Sequence, residues 1–252
     1  MVDSPLVSGG NSKLRVVSKF MVRQEATPGA VPGRHDRNKA RRRTAILNAT
    51  LALLRTTPID KVTIEAIAAQ AGVAPATVYN LIGSRDQLLL ACVDRVIDSL
   101  IDDLIRLSIN EDPLAAAVRI VEGSCDAFIV DGDAFRQIAG AVNGIARGGR
   151  SISVDPAQLQ ITAMRAALAK GILRTDADPI ALGRQVFLSY NGAFFAWAAG
   201  QLTDEGFRAA ALHGLWTTLL ASAADDHRDE LSREARNAAT RMVDAGYGPQ
   251  TE

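Results

Sequence analysis

The chain has 252 residues, of which 48% are hydrophobic, so it can bury a substantial core in one large domain or two smaller ones. It contains no apolar run of 18 residues and no continuous apolar segment near its start, so we expect no membrane span, no secretory signal and a cytoplasmic location. The two cysteines and three histidines lack the spacing of metal ligands, and we expect no metal and no cofactor.

The formal net charge of zero conceals an asymmetry along the chain. Residues 1–88 contain 13 Lys and Arg against 6 Asp and Glu, a balance of +7. Residues 89–252 contain 15 against 22, a balance of −7. A basic end on an acidic body suggests that one end binds a polyanion, although a basic tail without a partner explains the charge equally well.

The first elements are a basic arm and a helix. Residues 1–35 mix Pro, Gly, Ser and basic residues without periodicity, which predicts a disordered arm. The run KARRR then leads into a first helix over about 37–56, and Pro58 ends it because proline disfavours helix at the preceding residue. The apolar positions at helical spacing are Ile46, Ala49, Leu53 and Leu54.

Two short helices follow, separated by a glycine. Thr63 is a good N-cap for the second helix, and Gly72 ends it. The third helix begins at Pro75, because the missing N–H of proline has no intrahelical partner in a first turn. Gly83 ends this helix. At 100° per residue, one face is predicted to pack (Val78, Leu81, Ile82) and the opposite face to be exposed (Ala76, Tyr79, Asn80, with Thr77 on its flank).

A long fourth helix is predicted over 84–108. Ser84 provides its N-cap, and Gln87 occupies the third helical position of a capping box. Further helices are predicted over 113–130, 132–147, 155–171, 178–200 and 204–223, because Ala and Leu dominate and alternating strand patterns are nearly absent.

A helix, a glycine turn and a short helix with an exposed polar face form a helix-turn-helix pattern. The run TIEAIAAQAGVAPATVYNLIGSRDQLL resembles the tetracycline-repressor (TetR) family of transcriptional regulators, and the resemblance covers roughly residues 38–90. It implies an all-α fold, with an N-terminal three-helix DNA-binding domain and a C-terminal helical domain for ligand binding and dimerisation. The matching residues are Thr63, Ile67, Ala68, Ala71, Gly72, Val73, Thr77, Tyr79, Ser84, Arg85 and Leu88.

The expected organisation has four segments. Residues 1–35 form the disordered basic arm, and residues 36–84 form the helix-turn-helix DNA-binding domain. Residues 85–224 form the helical ligand-binding and dimerisation domain. Residues 225–252 form a charged C-terminal tail, which looks like an exposed amphipathic helix.

Three predicted DNA contacts go to phosphates. Thr63 lies at a helix N-terminus, where free N–H groups attract anions, although its hydroxyl also serves as a plain cap. The Tyr79 hydroxyl and the Arg85 guanidinium are expected to reach the backbone as well, although Tyr79 can instead pack on the first helix. Arg43 ends the basic run Arg37, Lys39, Arg41, Arg42, Arg43, which we expect to follow the backbone or enter a minor groove.

The exposed face of the third helix is predicted to read bases. Asn80 can form paired hydrogen bonds with adenine. Ala76 and the Thr77 methyl group can lie against thymine methyl groups, and Pro75 fixes the helix entry.

The last two helices of the body are rich in small residues. Paired with their copies, they would form a four-helix interface between two chains; the alternative is that they form the core of a monomer. We expect a homodimer. The small residues are Ala181, Gly183, Gly192, Ala193, Ala196, Ala198, Ala199, Ala209, Ala210, Ala211 and Gly214.

A ligand pocket is expected among the middle helices, lined by aromatic side chains that can also be ordinary core residues. Few charges fall inside these helices, which indicates an apolar small-molecule effector such as an acyl or polycyclic compound. The candidate lining residues are Phe128, Phe135, Phe187, Tyr190 and Phe194.

The sequence therefore predicts a ligand-responsive regulator, most simply a repressor. It would bind a palindromic double-stranded DNA operator as a dimer and be released by an apolar effector. No nucleophile, base and orienting group stand in a known spacing, and we expect no enzymatic activity. A helical enzyme and a helical interaction module without DNA affinity are the alternatives.

Overall fold

The computed structural model describes residues 33–106, 109–147 and 155–246. Within these ranges the chain forms ten α-helices and one 3₁₀ helix, and the β-pairing there is an isolated bridge between Leu173 and Ala223. The predicted all-α class is confirmed. The predicted disordered arm, apart from its last residues, lies outside the described residues.

Four helices make up the N-terminal part. The first and second are joined through the 3₁₀ helix Ile59–Lys61. The four α-helices are α1, Arg34–Leu54; α2, Ile64–Ala71; α3, Pro75–Leu81; and α4, Arg85–Arg106.

Six further helices make up the body. They are α5, Pro113–Ile129; α6, Gly132–Arg147; α7, Ala157–Ala169; α8, Pro179–Ala198; α9, Asp204–Ala221; and α10, Asp225–Asp244. Three of them, α5, α8 and α9, begin at a side-chain cap, because a free helical N–H needs an acceptor. Asp112 accepts from the Ala115 N–H at 2.9 Å, and Thr203 accepts from the Gly206 N–H at 3.0 Å.

Helices α1 to α4 share an apolar core, and α1 packs against α2, α3 and α4 as well as α6. The buried side chains of this core include Ile46, Leu54, Ile67, Val78 and Leu88, each exposed by 1% or less. This core is continuous with that of the body. The first four helices are therefore not an isolated unit.

The body is built around α8, which packs between α7 and α9, while α5 contacts α4, α7 and α9. Trp197 stacks on Phe207 with ring centroids 5.3 Å apart, and this pair joins the end of α8 to the start of α9. Both cysteines, Cys92 and Cys125, are buried free thiols. Burial raises the pKa of Cys92 to about 12 and raises that of Cys125 as well, so both stay protonated at neutral pH.

The segment predicted as a charged tail is largely the helix α10. It packs along α9 and buries Leu231, Ala235 and Ala238, while most of its charged residues face solvent. Residues 225–244 therefore contribute to the core of the body.

Two glycines permit close helix crossings. A Cβ atom on Gly183 would lie 2.6 Å from the backbone of Ile161, and one on Gly214 would lie 2.5 Å from the Ser189 Cβ. Both distances are well below van der Waals contact. Several of the small residues expected at a dimer interface therefore pack inside the chain, namely Gly183, Ala193, Ala209, Ala211 and Gly214, whereas Ala181, Gly192 and Ala199 are exposed.

We expect Gly183→Ala to lower the free energy of unfolding by about 1–3 kcal/mol, because the added methyl group meets backbone atoms that cannot move aside. Gly140→Ala on α6 is the matched control, since a Cβ there meets nothing within 4 Å and alanine favours helix by up to about 1 kcal/mol. Urea unfolding of both variants measures the difference. Equal effects of the two substitutions would contradict the close crossing.

Candidate nucleic-acid interface and ligand cavity

Helices α2 and α3 are joined by a tight glycine turn. The Thr63 hydroxyl accepts from the Ala66 N–H at 3.2 Å and begins α2. Gly72 ends α2 in the left-handed conformation with φ 65°, where a side chain would be strained. The Val73 N–H then donates to the Ala68 carbonyl at 2.9 Å, which fixes the angle at which α3 leaves.

Helix α3 has the two faces that its sequence predicts. Val78 is completely buried, and Leu81 and Ile82 are half-buried against the core. The opposite face is exposed, including the ring of Tyr79 at 53%. The exposed members are Pro75, Ala76, Tyr79 and Asn80, with Thr77 half-buried at their edge.

A reciprocal capping box fixes the start of α4. The Ser84 N–H donates to Gln87 Oε1 at 2.8 Å, and the Gln87 N–H donates to Ser84 Oγ at 3.4 Å. Gly83 has φ 113°, and a Cβ there would collide with the Gln87 amide. The serine, glycine and glutamine are therefore mutually dependent, as the capping-box prediction requires.

A row of polar and basic side chains on α1 lies beside α3. His35, Asn38, Lys39 and Arg42 line a hollow of about 310 Å³ together with Asn80 and Leu81. The spacing of residues 35, 38, 39 and 42 puts them on one helical face, so the sequence alone predicts that these side chains form a row. The basic run therefore lies inside α1, whose first residue is Arg34.

Two of the arginines predicted to contact DNA hydrogen-bond to backbone carbonyls. Arg43 Nη1 donates to the Leu81 carbonyl at 3.4 Å, which tethers the end of α3 to α1. Arg85 donates to the Ile59 carbonyl. Each guanidinium has five N–H donors, so these bonds leave others free, but both side chains also position the helices.

Ile59 is held at both of its backbone polar groups by two different helices. Its carbonyl accepts from Arg85 at the start of α4, and its N–H donates to Gln137 Oε1 of α6 at 2.6 Å. Gln137 Nε2 also donates to the Leu54 carbonyl at 2.6 Å, at the end of α1. An ion pair between Arg55 and Asp131 lies beside this junction.

A second site is a cavity of about 290 Å³ that lies between α4, α5, α6, α7 and α8. None of the described residues that line it is charged. The lining residues are Leu90, Val93, Val96, Ile97, Leu100, Ile120, Val121, Ser124, Phe128, Ile138, Ala139, Val142, Pro156, Leu159, Gln160, Phe187, Tyr190, Asn191, Phe194 and Phe195.

Four of the five aromatic residues predicted to line a pocket lie on this wall: Phe128, Phe187, Tyr190 and Phe194. Phe135 does not. It is 1% exposed and packs edge-on against Phe128, with ring centroids 4.8 Å apart, so it supports the wall from behind. The prediction missed the aliphatic side chains of α4 and the polar groups of Ser124, Gln160 and Asn191, because the search was confined to aromatic residues.

Helix α6 connects the cavity to the N-terminal helices. Ile138 and Ala139 line the cavity, and the adjacent Gln137 holds the end of α1 and Ile59. One residue earlier, the Arg136 guanidinium lies over the Trp197 ring at 4.4 Å and pairs with Asp204. Three consecutive side chains of α6 thus contact the N-terminal helices, the cavity and the α8–α9 connection.

Within the described residues, no three His, Cys, Asp or Glu side chains are grouped as a metal ion would need. None of the helices in that part of the chain is long and apolar enough to cross a membrane.

Comparisons with known proteins agree with the shape of this interface. Residues 46–92, which contain α2 and α3, match the profile of the family described as bacterial regulatory proteins, tetR family. No curated protein matches the chain by sequence.

Three solved structures of similar fold are described as transcriptional repressors or regulators. SmeT of Stenotrophomonas maltophilia, described as the repressor of a multidrug efflux pump, is 23% identical with a TM-score of 0.50, covering 73% of this chain and 91% of its own. FadR of Thermus thermophilus, described as a TetR family transcriptional repressor in complex with lauroyl-CoA, is 19% identical with a TM-score of 0.56, covering 72% and 95%. A regulator from Rhodococcus sp. is 19% identical with a TM-score of 0.51, covering 71% and 99%.

Proposed function

We propose that this chain, whose residues 46–92 match the TetR family profile, is a repressor of that family that binds a palindromic operator as a dimer and leaves it when an apolar effector binds. The family binds DNA and does not catalyse reactions. The observation that carries the proposal is the exposed face of α3 beside the polar and basic row of α1. Binding an operator also implies a cytoplasmic location.

Base recognition is assigned to α3. Asn80 is exposed at the end of this helix, and its amide can form two hydrogen bonds with adenine in the major groove. Pro75, Ala76 and Thr77 present small apolar groups that suit thymine methyl groups. A helix of seven residues reaches few bases, so each half-site has modest specificity.

Phosphate contacts are assigned to the rim of this surface. Lys39 and Arg42 stand beside Asn80 and place positive charge where the DNA backbone would pass. The Tyr79 hydroxyl and Thr63, at the N-terminus of α2, complete the rim. Arg43 and Arg85 contribute mainly by fixing α3 and Ile59, with their remaining donors available to phosphate.

A homodimer is favoured by the solvent face of α8. Ala181, Leu188, Gly192 and Ala199 recur along one exposed stripe of this helix, and Leu188 is 60% exposed. Exposed apolar residues in a row are typical of an interface with a second copy. Two copies would present two α3 helices to the two halves of a palindrome.

An apolar effector is favoured by the uncharged wall of the cavity. The Thermus thermophilus relative is described with lauroyl-CoA and the Stenotrophomonas maltophilia relative as controlling a drug efflux pump, and both descriptions support a ligand with a large apolar part. A volume of 290 Å³ is roughly twice that of an engineered cavity that binds benzene, which suits about a dozen non-hydrogen atoms.

Release from DNA is assigned to movement of Ile59. Cavity residues lie on α4, which carries Arg85, and on α6, which carries Gln137, and these two side chains hold the two polar groups of Ile59. A ligand that spreads α4 and α6 would move this junction and with it α2, whose cap Thr63 follows four residues later. The effect requires the ligand to bind the moved arrangement better than the DNA-bound one.

Two substitutions distinguish base recognition from phosphate contact. Asn80→Ala should cost about 1–3 kcal/mol on the preferred duplex and relax the preference at one position per half-site. Lys39→Ala should weaken binding to all duplexes alike and lower the salt dependence by about one released ion per half-site. Genomic fragments selected by the protein and footprinted supply the duplex, and affinities are measured across salt concentrations.

Arg165→Ala is the matched control for this series, because Arg165 is an exposed cation on α7 of the body and should leave binding unchanged. A uniform loss for Asn80→Ala across sequences would make Asn80 a backbone contact instead of a reader of bases.

The second prediction concerns the dimer. Leu188→Arg places two like charges at the interface, so sedimentation should show a monomer. The affinity for a duplex with two half-sites should then fall far more than the affinity for a duplex with one half-site. Val130→Arg is the control, since Val130 is 78% exposed at the end of α5 and outside the stripe. A dimer that persists in Leu188→Arg would place the interface elsewhere.

The third prediction tests coupling through Gln137. Lauroyl-CoA, dodecanoic acid and aromatic compounds are first screened for thermal stabilisation, and DNA affinity is measured with each compound that binds. Gln137→Leu should bind these compounds as the parent does while losing most of their effect on DNA affinity, because the link from α6 to Ile59 is broken. Gln201→Leu, in the exposed connection after α8, is the control and should keep the full effect. A full effect in Gln137→Leu would assign coupling to α4 alone.

A further inference from the structure

The cavity wall contains three polar side chains from three helices that meet at the cavity. Ser124 of α5, Gln160 of α7 and Tyr190 of α8 all line it, and we call them the polar patch. The rest of the described lining is apolar except for Asn191, which is half-buried. A patch of this kind matters because buried polar groups need hydrogen-bond partners.

Gln160 has one amide atom without a partner. The side chain is 4% exposed, and its Nε2 donates to the Ala117 carbonyl at 3.4 Å. A carbonyl can only accept, so this bond assigns the nitrogen to that side and turns Oε1 away. Oε1 is shielded from water and has no hydrogen-bond partner among the described residues.

Tyr190 has a buried hydrogen-bond donor without a partner, whereas Gln160 has a buried acceptor. Its hydroxyl is also shielded and lacks a hydrogen-bond partner of normal geometry within the described part of the chain. Burial raises the pKa of Tyr190 well above its usual range, and a loose hydrogen-bonding contact with Ser124, outside normal geometry, offsets this only in part. The phenol is therefore neutral and has a proton to donate.

Both side chains are placed against the same helix, α5. Gln160 is anchored at the Ala117 carbonyl, while Ser124, which contacts Tyr190, donates to the Val121 carbonyl at 2.8 Å. These two carbonyls are four residues apart on α5, which is about 6 Å along a helix.

We propose that the cavity selects a neutral, largely apolar ligand bearing a hydroxyl group, whose proton goes to Gln160 Oε1 and whose oxygen accepts from the Tyr190 hydroxyl. This rests on the proposed function, since it specifies the effector of the same cavity. A ketone or ester can only accept and leaves Gln160 unpaired. A carboxylate or ammonium would be buried without a counter-charge, because none of the described lining residues is charged.

The test uses three aromatic probes of similar size. 2-Naphthol and 2-methylnaphthalene have the same number of non-hydrogen atoms and differ by a hydroxyl in place of a methyl group, and 2-naphthoate adds a negative charge. Calorimetric titration of the full chain without DNA should show 2-naphthol binding at least tenfold more tightly than either of the others, since two buried groups become paired. Equal affinities, tighter binding of 2-naphthoate, or no binding of any probe would overturn the proposal.

Substitutions of lining residues test which side chains cause the preference for 2-naphthol over 2-methylnaphthalene. Tyr190→Phe and Gln160→Leu should each reduce the ratio between 2-naphthol and 2-methylnaphthalene to about threefold or less. Asn191→Leu is the matched control, a polar lining residue outside the polar patch, and should keep the parent ratio. A ratio that persists in both patch variants, or that falls in Asn191→Leu, would overturn the assignment.

A second readout shows that loss of the ratio does not come from misfolding. Removing an unpaired buried group should leave the ligand-free protein as stable or more stable, so Tyr190→Phe should keep or raise the midpoint of thermal unfolding. A lowered midpoint in Tyr190→Phe would mean that the hydroxyl has a partner in the folded chain and would count against the proposal.

The two proposals fail separately. Loss of the probe ratio with normal DNA binding, and release from DNA by other compounds, would overturn the hydroxyl preference alone. A retained ratio in a chain that binds no operator would instead contradict the proposed regulatory function.

Discussion

The structure depends on how Ile59 is held. Its N–H and its carbonyl are bound by Gln137 and Arg85, side chains from two helices that also form walls of the cavity. A half-buried backbone segment needs partners for its polar groups, and here those partners come from elements distant in sequence. The position of the 3₁₀ helix, and therefore of the cap that begins α2, is fixed by α4 and by α6 of the body. The N-terminal helices cannot take up their orientation independently of α4 and α6.

Local chemistry made much of the fold predictable. The predicted ends of α2, α3 and α4 rest on Thr63, Gly72, Pro75 and the Ser84–Gln87 pair, and the structure uses each of them for that purpose. What could not be predicted depends on pairs far apart in sequence. Nothing around Gln137 indicates that it binds the end of α1, and nothing around Gly183 indicates that Ile161 lies against it. The helices were therefore predictable, while the contacts that orient them were not.

In the candidate sites too, local features were predictable and contacts between residues far apart in sequence were not. The exposed face of α3 followed from its 100° periodicity, and four of five aromatic residues expected at a pocket line the cavity. The family pattern assigns Arg85 to phosphate, yet its guanidinium hydrogen-bonds to a carbonyl that lies 26 residues earlier in the chain. Conversely, the row from His35 to Arg42 needed only helical spacing to be found. Motif matching identifies which residues occupy an interface, but not how many donors remain free there.

The cavity and the junction are also related energetically. A void and two unpaired polar atoms make the ligand-free arrangement less stable than a filled one, because a cavity loses packing and each buried unpaired group costs about 1–3 kcal/mol. A ligand that fills the void and hydrogen-bonds to both atoms regains this free energy. It does so only in a conformation of the protein in which the ligand fits the cavity. A tenfold change in DNA affinity requires about 1.4 kcal/mol of such preference, which is comparable to pairing one of the two atoms. Since Ile59 is bound from both α4 and α6, a change in their separation would be transmitted to α2 and α3 in the proposed mechanism. In that proposal, the polar groups that select the ligand would also supply part of the preference that weakens DNA binding.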